Sequence, residues 1–172
     1  MNAPFSKPAT KLPDDFAAMQ GQADKWRGEC IQQFAQLEET VETLLRALRD
    51  APKQGGKVTV GLQVGAAFKH VRELTGSKGP FAGKGKAISA TLADLAPWFE
   101  WRAHLTHGVL AVWRGRNDQW LLALAHRASG DDPIRTYALT WDDARAMRRL
   151  LQDRTEALRE NARSLANSVL KT

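Results

Sequence analysis

Cysteine is nearly absent from this sequence: Cys30 stands alone among 172 residues. One cysteine excludes an intramolecular disulfide and any multi-cysteine zinc site. Its place in a helical pattern predicts a small packing side chain. Long apolar runs are missing as well. No stretch reaches the roughly 18 apolar residues of a membrane span. Met1 to Pro13 lacks the hydrophobic stretch of a signal peptide. The expectation is a cytoplasmic protein with no membrane partner. Acidic residues are the minority, 19 Asp+Glu against 25 Lys+Arg, for a formal net charge of +6. That balance favours polyanionic partners, nucleic acid first. The charges read as spread along the chain.

What is present is ordinary globular material, with 43% apolar and 26% charged residues. A mainly disordered chain is excluded. Residues 1–13, with Pro4, Pro8 and Pro13, read as a disordered tail. Residues 14–172 show no repeat and no break, so a single domain is expected. Asp14 or Asp15 can cap a helix running to about Arg49. Its apolar positions, from Phe16 and Met19 through Leu44, Leu45 and Leu48, step by three and four. A second helix is predicted from Thr59 as cap, through Val60, Val64, Ala67, Val71 and Leu74. Gly76 to Lys86 reads as a flexible basic loop. A third helix is predicted from Ile88 to about His107, kinked or restarted at Pro97 and ended by Gly108.

The period then changes. Val109–Trp113, Trp120–Ala125 and Ile134–Leu139 read as three antiparallel strands in a meander. Thr140 and Asp143 form a capping box for a last helix, with Ala144, Met147, Leu151, Leu158, Ala162, Leu165 and Val169 on one face. The fold class expected is mainly α: a helical bundle with a small three-strand sheet before the last helix, at about 109–139.

The densest chemistry lies in Trp98-Phe99-Glu100-Trp101-Arg102-Ala103-His104-Leu105-Thr106-His107-Gly108. At about 100° per residue, Arg102 falls on the apolar stripe with Leu95, Trp98, Phe99 and Leu105. Glu100, His104 and His107 gather on the opposite side. An arginine aimed at packed surface needs a partner or a purpose. One reading pairs it with a carboxylate of the first helix, such as Glu38, Glu39 or Glu42. His107 then serves as a helix cap. A rival reading makes Glu100, His104 and His107 metal ligands. Their spacing departs from the H-E-x-x-H pattern, so no metal and no cofactor is expected.

Arginine, four residues, histidine and glycine near a helix end resembles the HEPN superfamily (higher eukaryotes and prokaryotes nucleotide-binding domain). The resemblance implies a HEPN-like bundle that pairs as a homodimer and cleaves RNA without metal. It implies Arg102 and His107 as catalytic residues, with His104 and Glu100 as possible supporting groups. In that scheme histidine moves protons near neutral pH and the guanidinium clamps phosphate oxygens. A toxin or phage-defence role, with an antitoxin as partner, is implied in the same way. Ala103 departs from the polar residue that many members place after the arginine. That departure favours the alternative of a non-catalytic RNA- or nucleotide-binding protein. A second alternative is a helical protein-interaction module.

The glycine–lysine stretch Gly79–Gly85 has too few intervening residues and no hydroxyl for a P-loop. Lys78, Lys84 and Lys86 are instead candidates for contacts with a nucleic-acid backbone. Arg114 and Arg116, at the tip of the first hairpin, are candidates for the same role. Trp113 and Trp120 either stack bases or pack across the hairpin.

Overall fold

The computed structural model describes residues 14–115, 118–127, 130 and 133–170. The expected tail, residues 1–13, lies outside them, as does Arg116. The protein is mainly helical, with a three-strand antiparallel sheet before the last helix. The helices are α1 (Asp14–Arg49), α2 (Val64–Thr75), α3 (Ala82–Leu95), α4 (Phe99–His107) and α5 (Trp141–Leu170). The strands are β1 (Val109–Arg114), β2 (Trp120–His126) and β3 (Arg135–Thr140). They run β1-β2-β3, both pairs antiparallel.

The two long helices make the spine. Leu37, Leu44, Leu45 and Leu48 of α1 and Leu151 and Leu158 of α5 are fully buried. Each such leucine contributes about 1.5–3 kcal/mol of burial. The face predicted for α5 is the buried one, Ala144, Met147, Leu151, Leu158, Ala162, Leu165 and Val169 included. Its capping box forms: the Asp143 N–H donates to Thr140 Oγ1 at 3.1 Å, and the Thr140 N–H donates to Asp143 Oδ2 at 3.2 Å. Cys30 is buried, as its pattern predicts. Burial pushes its thiol up to about 12; Glu29 adds to the shift and Arg148 opposes it. A thiol held protonated at neutral pH packs and does not attack.

Two boundaries differ from the sequence reading. The second helix starts at Val64, not near Thr59. Gly61 takes φ of 71°, which breaks any helix through it. The Thr59 N–H donates instead to His70 Nε2 at 3.0 Å. The expected basic loop, Gly76 to Lys86, is shorter than read, because α3 already begins at Ala82 and takes its last five residues. Gly85 permits this. A Cβ there would sit 2.6 Å from Thr75 Cβ, so glycine lets α3 cross tightly against α2. The restart at Pro97 takes the form of a 3-10 turn, Ala96–Trp98, that separates α3 from α4. Asp15 lies within α1 and pairs with Arg114 at 3.3 Å.

Candidate functional site

Side chains of α1 hold α4 in place. The Arg27 guanidinium donates to the Leu105 carbonyl at 2.6 Å and to the Thr106 carbonyl at 3.4 Å. These are carbonyls of the last helical turn, which lack intrahelical partners. Arg27 thus does the capping that the sequence offered to His107. Arg102 turns the other way and pairs with Glu38 of α1. Both side chains are partly buried, at 33% and 25% exposure. The first of the three carboxylates offered by the sequence is therefore the partner. No contact joins Arg102 to His107 among the described residues.

The histidines of α4 face the sheet. His104 is 5% exposed, and its Nδ1 lies 2.9 Å from the Glu100 carbonyl oxygen. A carbonyl only accepts, so Nδ1 carries the proton. Among the described residues, His104 Nε2 is buried without a hydrogen-bond partner. Aromatic rings surround it. Tyr137 meets it edge-on at 4.6 Å between centroids, and Trp101 and His126 lie at 6.4 and 5.1 Å. His107 is exposed, with its ring 6.2 Å from that of half-buried His126. Glu100 is exposed on α4, and only its backbone carbonyl engages a histidine.

His126 was missed by the sequence reading, because it ends a strand 19 residues beyond His107. Only the hairpin brings the two together. His126 also stands in register with Arg135 of β3. Cross-strand partners share a sheet face and lie about 5 Å apart. Arg135 is exposed, and its side chain makes no ion pair or hydrogen bond with the described residues. The surface group is thus His107, His126 and Arg135.

The nucleic-acid candidates divide between two places. Arg114 is not an open cation. It pairs with Asp15 and with Asp118, at 3.3 and 2.6 Å, and lies 5.6 Å from the Trp120 ring centre. Trp120 and Trp113 do not pack on each other across the hairpin. Trp113 stands opposite Leu121, and Trp120 opposite Arg114. Trp120 faces inward onto Phe16, while Trp113 is 62% exposed.

Lys78, Lys84 and Lys86 lie elsewhere, on the α2–α3 hairpin. Lys84 donates to the Ser168 carbonyl at 3.0 Å, tying α3 to the end of α5. Lys53 and Lys84 line one cleft with Pro52, Pro80, Phe81 and Val169. The ends of α1 and α5 and the start of α3 therefore converge there. Residues 51–93 hold seven cations and one carboxylate, a surplus of six that equals the net charge of the whole chain. The remaining residues carry 18 of each sign. The charge is not spread along the chain, as the composition suggested. A windowed charge count finds this segment; a total does not. Lys53, Lys57, Arg72, Lys78 and Lys86 are exposed there and form no ion pair among the described residues.

No family model, curated protein or solved structure matches the chain. Fold and surface define its class: an α+β protein with a basic helical hairpin on one flank and a histidine cluster beside its sheet. No helix among the described residues is long and apolar enough to cross a membrane.

Proposed function

We propose that this protein binds RNA through its phosphate backbone, using the basic segment 51–93, which holds the α2–α3 hairpin and the linker before it. One observation carries the reading: the entire charge surplus sits in residues 51–93, with five exposed cations free of ion pairs among the described residues. Most are lysines, strongly hydrated point charges that suit contacts independent of sequence. RNA is named as the nucleic acid because of the resemblance of Arg102 to Gly108 to the HEPN motif. Five phosphate contacts on a single strand give a log–log salt slope of about −3.5. Titrating a labelled 20-nucleotide RNA between 50 and 200 mM KCl checks this. A slope near that value is expected. Absent or salt-insensitive binding overturns it.

A second reading, metal-independent RNA cleavage, is favoured by the surface pairing of His107 with His126. One imidazole takes the proton of a ribose 2′-hydroxyl as that oxygen bonds to phosphorus. The bond to the 5′-oxygen breaks, and the other imidazole protonates the departing oxygen. A 2′,3′-cyclic phosphate and a 5′-hydroxyl remain. Arg135 binds the phosphate oxygens as charge builds on them. Arg102 is occupied by Glu38 and holds α4 on α1. Wild-type protein in EDTA should yield cyclic-phosphate fragments. His107→Ala and His126→Ala should each slow cleavage by about 100-fold or more. Intact RNA after incubation with wild-type protein overturns the reading. Equal cleavage by the His126→Ala variant does so as well.

A further inference from the structure

The restart of the chain at Pro97 sets two tryptophans on one flank. Trp98 closes the 3-10 turn, and Trp101 lies in the first turn of α4. Three residues apart on a helical path, they share one side. Arg102, next in the chain, turns away to Glu38. Both tryptophans line a notch of about 350 Å³ between α4, the end of β3 and the first turns of α5. Leu139, Leu150 and buried Met147 add aliphatic lining. Tyr137 packs on Trp101 at 4.7 Å between ring centres and helps to fix that indole. Both indoles are half-buried, so part of each stays open.

Asp143 is the one charged residue that lines the notch. Its Oδ2 accepts from the Thr140 N–H and hydroxyl, at 3.2 and 2.7 Å. Its Oδ1 has no hydrogen bond, and the carboxylate no ion pair, among the described residues. Arg145, nearby on α5, is taken by Asp142. The notch therefore presents one available carboxylate oxygen amid indole and aliphatic surface.

We infer that this notch binds the trimethylammonium head of a small choline-like molecule. Indole is the best aromatic partner for a cation, and quaternary ammonium groups are recognised in this way. Aliphatic walls disfavour an ion that keeps its water, such as a metal ion or a bare ammonium. A trimethylammonium group instead offers methyls to those walls and its charge to the rings and to Asp143. The volume lies near the lower end of small-ligand sites, about 300–1,000 Å³, and suits a small molecule held whole. A phosphate would be repelled by Asp143, so the site is independent of the RNA reading.

An NMR titration that follows the indole N–H signals of the six tryptophans tests it. Choline should shift those of Trp98 and Trp101 saturably, with a Kd of about 1 mM. Sodium chloride at the same concentrations is the blank. The neutral isostere 3,3-dimethylbutanol should bind about 10-fold more weakly. Trp98→Ala should weaken choline binding by about 10-fold. Asp143→Asn keeps an oxygen for Thr140 and so should keep the melting temperature. It should weaken choline by about 5-fold and leave the alcohol unchanged. Absence of a saturable shift up to about 50 mM choline overturns the proposal. Equal affinity for the alcohol overturns it, because the notch then reads only apolar shape. Undiminished choline binding by Asp143→Asn does so as well. A trimethyllysine peptide that binds more tightly than choline overturns the assignment to a small molecule.

Discussion

Changing Lys53, Lys78 and Lys86 together to glutamate should weaken RNA binding by about 100-fold at 100 mM salt and flatten the salt slope by about 2. All three are exposed and free of ion pairs among the described residues, so the fold loses no contact. The informative control carries the same change in net charge elsewhere. Lys25, Arg145 and Arg149 are also exposed, on α1 and α5, with Arg145 paired to neighbouring Asp142. Replacing these three with glutamate should cost less than about 10-fold, because long-range attraction is screened beyond about 10 Å at that salt. Equal losses in both triple variants would mean that RNA responds to total charge and not to the basic segment 51–93. Fluorescence anisotropy against one RNA, with salt held fixed, measures both.

Arg102→Ala should destabilise the protein by about 1–2 kcal/mol, a shift in melting temperature of about 3–6 °C for a domain of this size. The pair with Glu38 is charge-assisted but partly exposed, and solvent screening discounts it from the value of a fully buried pair. Loss of the guanidinium also leaves the Glu38 carboxylate at the α1–α4 contact without its partner. Glu38→Gln should cost a similar amount. The double variant should cost little more than either single one, because both remove the same interaction. Calorimetry of the four proteins gives the coupling. Additive losses would show that Arg102 stabilises α4 through other contacts. A stable Arg102→Ala protein that has lost RNA cleavage would return the arginine to the chemistry.

The local elements were legible because each rests on neighbours in the chain. The three-and-four spacing in α1 and α5 marks the faces that are buried. The Thr140–Asp143 box and the meander are short-range devices, and both form. Misreadings fell where a distant residue decides. Gly85 looked like loop chemistry until Thr75 of α2 came against it. Arg114 looked free until Asp15, 99 positions earlier, reached it. Trp113 and Trp120 looked like a cross-strand pair, yet strand register sends them to opposite faces.

The sequence by itself determined the helices, the strands, the buried stripes and the location of the excess charge, since these depend on residue type and period. Only the tertiary structure decided which ionisable groups meet. It took Arg102 to Glu38, gave the end of α4 to Arg27, and set His126 of β2 beside His104 and His107. Electrostatic and hydrogen-bonded partners act over a few ångströms in space, and sequence separation carries no information about that distance.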